Sequence, residues 1–392
     1  MDKIFKLTQP EVENLAETYG TPLLVLSLEQ IEYNYRFLAE NLPGVKLHYA
    51  VKANPDERII RTLARLGSCF DVASDGEILS LTELGVAPDR MVYANPFKTH
   101  NGLAVAKRTG VYKFTFDSES EIYKMAKAVP GGTVLLRVRV DNPMALVDLN
   151  KKFGTHPDDV MRLLRIAREQ GLDVAGLCFH VGSQSLTADA YVDAIRICRQ
   201  LFDEAAQEGF NLHILDIGGG FPVPAIATEI DILAITGTIN QSLSKYFPET
   251  EIWAEPGRFI CATAVNLITR VIGTQQRNNH QWYFLDDGLY GTFSGVIFDH
   301  WDFELIAFKS GEPIAATFAG PSCDSLDVMF RDKLTVPLDM DDLLLVPNCG
   351  SYTSASATVF NGFAKTSRVV WEDIKQNTGK ADKGNPTSKS IA

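Results

Sequence analysis

The chain has 392 residues, of which 45% are hydrophobic and 22% charged, so it is long and apolar enough to bury a large core. A net charge of −12 argues against binding to nucleic acid or to an anionic membrane surface. No apolar run approaches the ~20 residues of a membrane span, and the charged N-terminus does not resemble a signal peptide. The 6 cysteines and 7 histidines show no metal-binding spacing, so we expect reduced thiols, no metal site and a cytoplasmic protein.

Short apolar runs bounded by turn residues predict buried parallel strands in the first two thirds of the chain. In chain order, the runs are 46–50, 69–72, 91–94, 112–116, 133–139, 174–180, 213–217 and 251–255. Amphipathic patterns predict helices among them, at 56–66, 75–84, 119–128, 157–170 and 188–208. Eight strand–helix units predict an α/β fold, in which a closed (β/α)8 barrel is favoured and an open doubly wound sheet is the alternative.

The pattern changes after about residue 265, where strand-like runs follow one another without clear helices between most of them. These runs, at 265–272, 281–286, 313–318 and 343–347, predict a mainly antiparallel β domain. Near the N-terminus, a helical pattern at 9–19 precedes the run TPLLVLS, a candidate strand of that domain. We predict a barrel over 28–264, a β domain from 1–27 with 265–372, and a disordered tail over 373–392.

Polar residues and glycines cluster at the carboxyl ends of the predicted barrel strands, where barrel enzymes carry their active sites. From the first strand to the last, they are Lys52, Asp71, Arg137, His180, Gly218, Gly219, Gly220 and Glu255. The three glycines follow the seventh strand and Arg258 follows the eighth, where such barrels commonly bind phosphate. Glycine N–H groups and a guanidinium both suit an anion, so this position favours a phosphate site over a simple turn.

A phosphate site, a lysine and a strand-end glutamate in one barrel indicate pyridoxal phosphate as cofactor. Lysine amines form Schiff bases with carbonyl compounds. A carboxyl group can keep the pyridinium nitrogen protonated, so that the ring accepts electrons. Taken alone, Lys52 could simply form an ion pair, and Glu255 could form a salt bridge with an internal arginine. Because both are predicted at the same end of the barrel, a cofactor site is favoured.

Seven motifs in one order resemble those of the fold-type III, pyridoxal-phosphate-dependent decarboxylases of ornithine, lysine, arginine and diaminopimelate. They are YAVKAN (49–54), FDVAS (70–74), FHVGSQ (179–184), DIGGGFP (216–222), AEPGRF (254–259), GPSCDSLD (320–327) and YTSASATVFNGF (352–363). The likeness covers about residues 20–365 and is greatest to the bacterial lysine/ornithine decarboxylases.

The resemblance implies a role for each matching position. Lys52 would form the Schiff base with the cofactor, His180 would stack on its ring, and Glu255 would pair with the ring nitrogen. The phosphate would be held by Ser183, Gly218, Gly219, Gly220, Gly257, Arg258 and Tyr352, with Asp71 and Arg137 on the cofactor side.

The resemblance further implies a homodimer with shared active sites. Cys323 and Asp324 would both act at the active site of the neighbouring subunit, where Cys323 would protonate the α-carbon after CO2 leaves. The side-chain ammonium of a basic amino acid would be received by Asp299, Asp324 and Tyr290.

The residue types at the predicted site narrow the choice of substrate but do not identify a single one. Diaminopimelate decarboxylases usually carry Glu after the cysteine, whereas Asp324 follows Cys323 here. Lysine and ornithine differ by one methylene, worth about 1–3 kcal/mol, so decarboxylation of both to cadaverine or putrescine and CO2 is expected. The alternatives are decarboxylation of diaminopimelate or another diamino acid, and a non-catalytic regulator resembling the antizyme inhibitors.

Overall fold

The structure is a computed structural model that describes residues 4–140, 142, 152–224 and 230–381. The chain divides into two compact units. The barrel unit is Glu32–Cys261, and the β unit combines Met1–Ile31 with Ala262–Ala392.

The elements follow the predicted alternation closely. In chain order the strands are β1 (Leu23–Leu26), β2 (Val45–Ala50), β3 (Cys69–Val72), β4 (Met91–Tyr93), β5 (Lys113–Phe116), β6 (Thr133–Arg137), β7 (Asp173–Cys178), β8 (Ile214–Asp216), β9 (Glu251–Ala254), β10 (Val265–Arg277), β11 (His280–Leu285), β12 (Ile306–Ala307), β13 (Ile314–Ala319), β14 (Val328–Thr335), β15 (Leu343–Val346) and β16 (Ser367–Val370). The helices are α1 (Gln9–Tyr19), α2 (Leu28–Asn41), α3 (Glu57–Arg65), α4 (Asp75–Glu83), α5 (His100–Thr109), α6 (Glu119–Ala128), α7 (Pro157–Glu169), α8 (Asp189–Gln207), α9 (Ile232–Tyr246), α10 (Arg258–Cys261), α11 (Gly295–Phe298) and α12 (Trp371–Ala381).

Strands β2 to β9 form the barrel. Each pairs in parallel with the next, and β9 pairs with β2, so the sheet closes on itself. This confirms the predicted (β/α)8 barrel over the open doubly wound alternative. Side chains from non-adjacent strands, including Val92, Leu135 and Trp253, meet in one buried cluster inside it. The barrel is therefore filled, and a ligand must bind at one of its ends.

Capping residues explain where the barrel helices begin. Asp56 accepts hydrogen bonds from the backbone N–H groups of Arg58 at 2.7 Å and Ile59 at 3.3 Å, so α3 starts directly after the β2 turn. Ser74 accepts from the N–H of Glu77 and caps α4 in the same way. These caps fix the loops at the carboxyl ends of the strands, which are the loops that carry the candidate site.

The β unit contains a mixed sheet. Strands β12, β15, β10, β11, β13 and β14 lie in that order, and β1 pairs with β10 and β16. The pairs β1–β16 and β11–β13 are parallel, and the other pairs of this sheet in the described chain are antiparallel. The prediction of a mainly antiparallel β domain is confirmed, with TPLLVLS supplying β1.

The predicted disordered tail over 373–392 is wrong at its start, where α12 continues to Ala381. Trp371 and Ile374 lie one helical turn apart and pack on the apolar cluster around Leu15 and Leu345. The carboxylate of Glu372 also accepts from the N–H groups that open α2. The polar composition concealed these contacts because several of the partners lie far away along the chain, as Ser27 does, 345 positions from Glu372. Residues 382–392 lie outside the described residues.

Within the described residues, no helix has both the length and the apolar character needed to cross a membrane.

Candidate active site

Lys52 and Asp71 form an ion pair at the carboxyl end of the barrel. Lys52 lies in the 3-10 turn Val51–Ala53 directly after β2, and Asp71 is on β3. Lys52 Nζ donates to Asp71 Oδ2 at 2.5 Å. The Asp71 side chain is 1% exposed while that of Lys52 is 42% exposed. The buried carboxylate thus holds an amine that a ligand can still reach.

Two further carboxyl groups lie near this pair, and sequence analysis assigned a role to only one of them. Glu255 follows β9, and burial together with the charges of Asp216 and Asp71 raises its pKa well above the ordinary range. Asp216 ends β8 and is fully buried, and burial raises its pKa to about 6. The opposing charges of Lys52 and Arg137 lower the pKa of Glu255 but do not cancel the effect of burial. Glu255 therefore retains its proton at neutral pH and can release it when a positive charge arrives.

Glu77 is another acidic neighbour that the sequence analysis missed. It lies in the first turn of α4, and its Oε2 accepts from the N–H of Ala73 at 2.6 Å. Burial, and then the charge of Asp71, raises its pKa to about 7. The signal was the spacing Ser74-x-x-Glu77, which is a capping box and is usually explained by helix capping alone.

His180 follows β7 as a neutral ring. Its Nδ1 accepts from the N–H of Gly182 at 2.9 Å, which places the proton of a neutral imidazole on Nε2. Burial lowers the pKa of His180 well below its ordinary value, and the charges of Arg137 and Lys52 act in the same direction. A neutral, planar ring in this position is suited to stacking rather than to carrying charge.

A side chain at any of the three consecutive glycines would clash with a neighbouring backbone oxygen. Gly218 has φ +68°, and a Cβ there would lie 2.3 Å from Phe179 O. A Cβ on Gly219 would lie 2.5 Å from Glu255 O, and one on Gly220, where φ is +104°, would lie 2.3 Å from Gly182 O. The backbone therefore packs against the neighbouring strand ends, as glycine alone permits.

Arg258 and Ser183 lie together in the same unit. The Arg258 guanidinium donates to Ser183 Oγ from Nη2 at 3.0 Å and from Nε at 3.3 Å. Arg258 is 5% exposed although it carries a charge. A buried guanidinium beside a hydroxyl group forms a polar site suited to an anion.

Arg137 has free hydrogen-bonding capacity. Its Nε and Nη2 are buried and have no hydrogen-bond partner among the described residues. Its guanidinium carbon lies 5.2 Å from the centre of the Phe153 ring. Buried donors without partners are costly, so a group from a ligand would be favourable here.

The β unit holds a second group of predicted residues, which we term the β-unit patch: Tyr290, Cys323 and Asp324. The Tyr290 hydroxyl donates to Asp324 Oδ2, and the N–H of Leu326 donates to Asp324 Oδ1 at 3.0 Å. These bonds lower the pKa of Asp324. Cys323 is exposed. The patch presents a thiol and an ionised carboxylate at the surface of this unit.

Asp299 and Tyr352 are the other predicted residues of the β unit. Asp299 directly follows α11 and is 6% exposed. Tyr352 has a left-handed backbone with φ +53°. Gly257, the remaining predicted phosphate residue, accepts from Cys261 Sγ through its carbonyl in the barrel unit.

Comparison with known proteins gives consistent matches along the chain. Residues 28–262 match the family model of the pyridoxal-dependent decarboxylases, pyridoxal binding domain. The lysine/ornithine decarboxylase of Selenomonas ruminantium is 49% identical over 391 residues, covering 100% of both chains. The lysine decarboxylase of that organism, solved with PLP and cadaverine, has a TM-score of 0.92 and 47% identity, covering 99% of this chain and 100% of that one. The lysine/ornithine decarboxylase of Vibrio vulnificus, solved with putrescine, has a TM-score of 0.87 and 36% identity, covering 94% and 100%.

Proposed function

The chain belongs to the pyridoxal-dependent decarboxylases, and on that premise we propose that it removes the α-carboxyl group of L-lysine and L-ornithine. The products are cadaverine or putrescine and CO2. The observation that carries this proposal is the reachable Lys52 amine on buried Asp71, at the barrel end that also holds the glycines. The full-length likeness to a lysine/ornithine decarboxylase supports the substrate class.

The residues of the barrel end fit pyridoxal 5′-phosphate. Glycines packed against backbone oxygens, with buried Arg258 on Ser183, suit its phosphate. We assign the phosphate to Ser183, Gly218, Gly219, Gly220, Gly257, Arg258 and Tyr352. Lys52 would bond the cofactor covalently, neutral His180 would stack on its ring, and Asp71 and Arg137 would line its side. When bound, the cofactor supplies a carbonyl group for amines and a ring that accepts electrons.

The acidic cluster controls protons at this end of the barrel. Asp71 stabilises the ammonium form of Lys52 and can accept a proton from its Nζ. Glu255, kept protonated by burial and by Asp216, can share its proton with a ring nitrogen placed beside it. If that nitrogen becomes cationic, the Glu255 carboxylate stabilises it, because an opposite charge reverses the effect of burial on the pKa.

The β-unit patch suits the other end of the substrate. Asp324 is ionised at neutral pH, because its hydrogen bonds lower its pKa further. We propose that Asp324, Asp299 and Tyr290 receive the side-chain ammonium of the substrate, and that Cys323 Sγ delivers a proton to the α-carbon after CO2 leaves. The exposed thiol supports a homodimer in which the patch completes the site of the partner subunit.

We propose a cytoplasmic location from the redox state of the cysteines. All six cysteines are free, which suits the reducing cytoplasm. The boundaries 28–264 for the barrel domain, and 1–27 with 265–372 for the β domain, stay a prediction that the two compact units support.

A competition assay tests the proposed function. Purified protein with pyridoxal 5′-phosphate receives equal L-lysine and L-ornithine, and cadaverine and putrescine are measured over time. Because one methylene supplies at most ~200-fold discrimination, both amines should form. Formation of neither amine, with cofactor shown to be bound, would reject the substrate class and favour another diamino acid.

A further inference from the structure

The carbonyl groups of the glycine loop (Gly218–Gly220) all accept hydrogen bonds from outside the loop. The N–H of Glu255 donates to Gly218 O at 2.8 Å, and the N–H of Ser185 donates to Gly220 O at 2.9 Å. Between them, the hydroxyl of Tyr191 donates to Gly219 O at 2.8 Å. Three consecutive peptide groups are thus fixed through their oxygen atoms.

The N–H groups of these three peptide groups point the other way and are available to a ligand. Their N–H groups belong to Gly219, Gly220 and Phe221, and they donate to no oxygen within the part of the chain that the structure describes. In a planar trans peptide the N–H points away from the C=O. Each bond to a loop carbonyl therefore directs one N–H away from the bonded partner. The loop offers these donors to an anion.

The surroundings of Tyr191 hold its hydroxyl group in place to donate to Gly219 O. It lies on α8, its side chain is fully buried, and its ring stacks on Phe221 with 5.5 Å between centroids. Burial raises the pKa of Tyr191, so the hydroxyl keeps its proton and remains a donor. Gly219 O is the group that accepts it.

Gln184 fixes the chain just after the loop. Its Nε2 donates to Val223 O at 2.5 Å, and its Oε1 accepts from the N–H of Val223 at 3.0 Å. Gln184 is 6% exposed and has a left-handed backbone with φ +57°, which is uncommon for a residue other than glycine. The two bonds join the loop after β7 to the loop after β8.

We infer that Tyr191 and Gln184 are positioning residues that hold the glycine loop in its anion-binding form. They set the affinity for the phosphate group of the cofactor, not for its ring or aldehyde. This inference rests on the proposed function, because it takes pyridoxal 5′-phosphate as the ligand. Neither residue needs to touch the cofactor to have this effect.

The test compares two cofactor forms that differ only in the phosphate. Full-length holoenzyme is prepared as wild type, Tyr191→Phe and Gln184→Met, and dialysed to equilibrium against graded pyridoxal 5′-phosphate or pyridoxal. Both variants stay uncharged and keep a side chain of similar size, and each removes the side-chain donor. Since one hydrogen bond is worth ~1 kcal/mol, Kd for pyridoxal 5′-phosphate should rise about five- to tenfold, with Kd for pyridoxal unchanged within about twofold.

Matched controls separate this effect from a general loss of structure. Tyr123→Phe and Gln207→Met change exposed residues on α6 and α8 and should leave both Kd values unchanged. An equal loss of affinity for both forms, or no loss for either, would overturn the inference. If one variant does not fold, the other carries the test by itself. Wild type that binds neither form would instead reject the proposed cofactor.

Discussion

Asp71 and Asp216 at the barrel end are 1% and 0% exposed, whereas Cys323 in the β unit is exposed. The pKa values of the acidic groups in the two regions also shift for different reasons. Burial is the main reason why the pKa values of Asp216, Glu255 and Glu77 are raised. In the β-unit patch, direct hydrogen bonds lower the pKa of Asp324. The barrel end therefore depends on the folded core, while the patch depends on a few local bonds.

Replacing Lys52 should have the largest effect on turnover. Lys52→Ala removes the reachable amine and leaves buried Asp71 without its cation, so kcat should fall by at least about 10³-fold. CO2 release from L-lysine measures this. Lys107→Ala, which changes an exposed lysine near the end of α5, is the control and should retain wild-type kcat. Retained turnover in Lys52→Ala would contradict the assignment.

A mixing experiment tests whether the patch works in trans. Cys323→Ala should slow formation of the amine but leave the thermal midpoint nearly unchanged, because the side chain is exposed. Mixing Lys52→Ala with Cys323→Ala chains should give hybrid dimers with one intact site. Random exchange predicts recovery of about a quarter of wild-type activity. No recovery, with exchange of subunits shown independently, would mean that each chain uses its own Cys323.

Crowding at the glycine loop predicts a loss of stability that the patch should not share. In Gly219→Ala, the new Cβ would meet Glu255 O at 2.5 Å, so stability should fall by about 1–3 kcal/mol and cofactor binding should weaken. Gly237→Ala in α9 is the matched control, since a Cβ there meets no atom within 4 Å. This control should be neutral or slightly stabilising. Urea unfolding of both variants decides between crowding and a general intolerance of substitution.

The contribution of Glu77 to stability depends on pH. The pKa of Glu77 rises from 4.5 to about 7 on folding, so its contribution to stability is fully present below pH 4.5 and is lost as pH rises to about 7. Glu77→Gln should therefore become more stable relative to wild type across this window, by about 1.4 kcal/mol per pH unit at most. Asp324 has the opposite sign, because a lowered pKa gives stability that is lost as pH falls. Urea unfolding at pH 5 and pH 8 measures the difference, and parallel curves would contradict the burial argument.

Most of the architecture was predictable because its signals are local. Strands such as 69–72 and helices such as 119–128 match the structure at both ends. Polar residues at strand ends also pointed to the correct end of the barrel, where Lys52, Arg137 and Glu255 now interact. The motif FHVGSQ contained Gln184, yet no pattern in it indicated that its side chain would bond Val223, 39 positions away.

The sequence by itself determined the alternation of strands and helices, the change to a β unit and the set of polar residues at the strand ends. Only the tertiary structure decided that the sheet closes, because the pairing of β2 with β9 joins segments about 200 residues apart. Only it decided that Tyr191 holds Gly219, and that burial raises the pKa values of Asp216, Glu255 and Glu77. Burial and hydrogen-bond partners are properties of distant segments brought together, and a local pattern of residue types does not contain them.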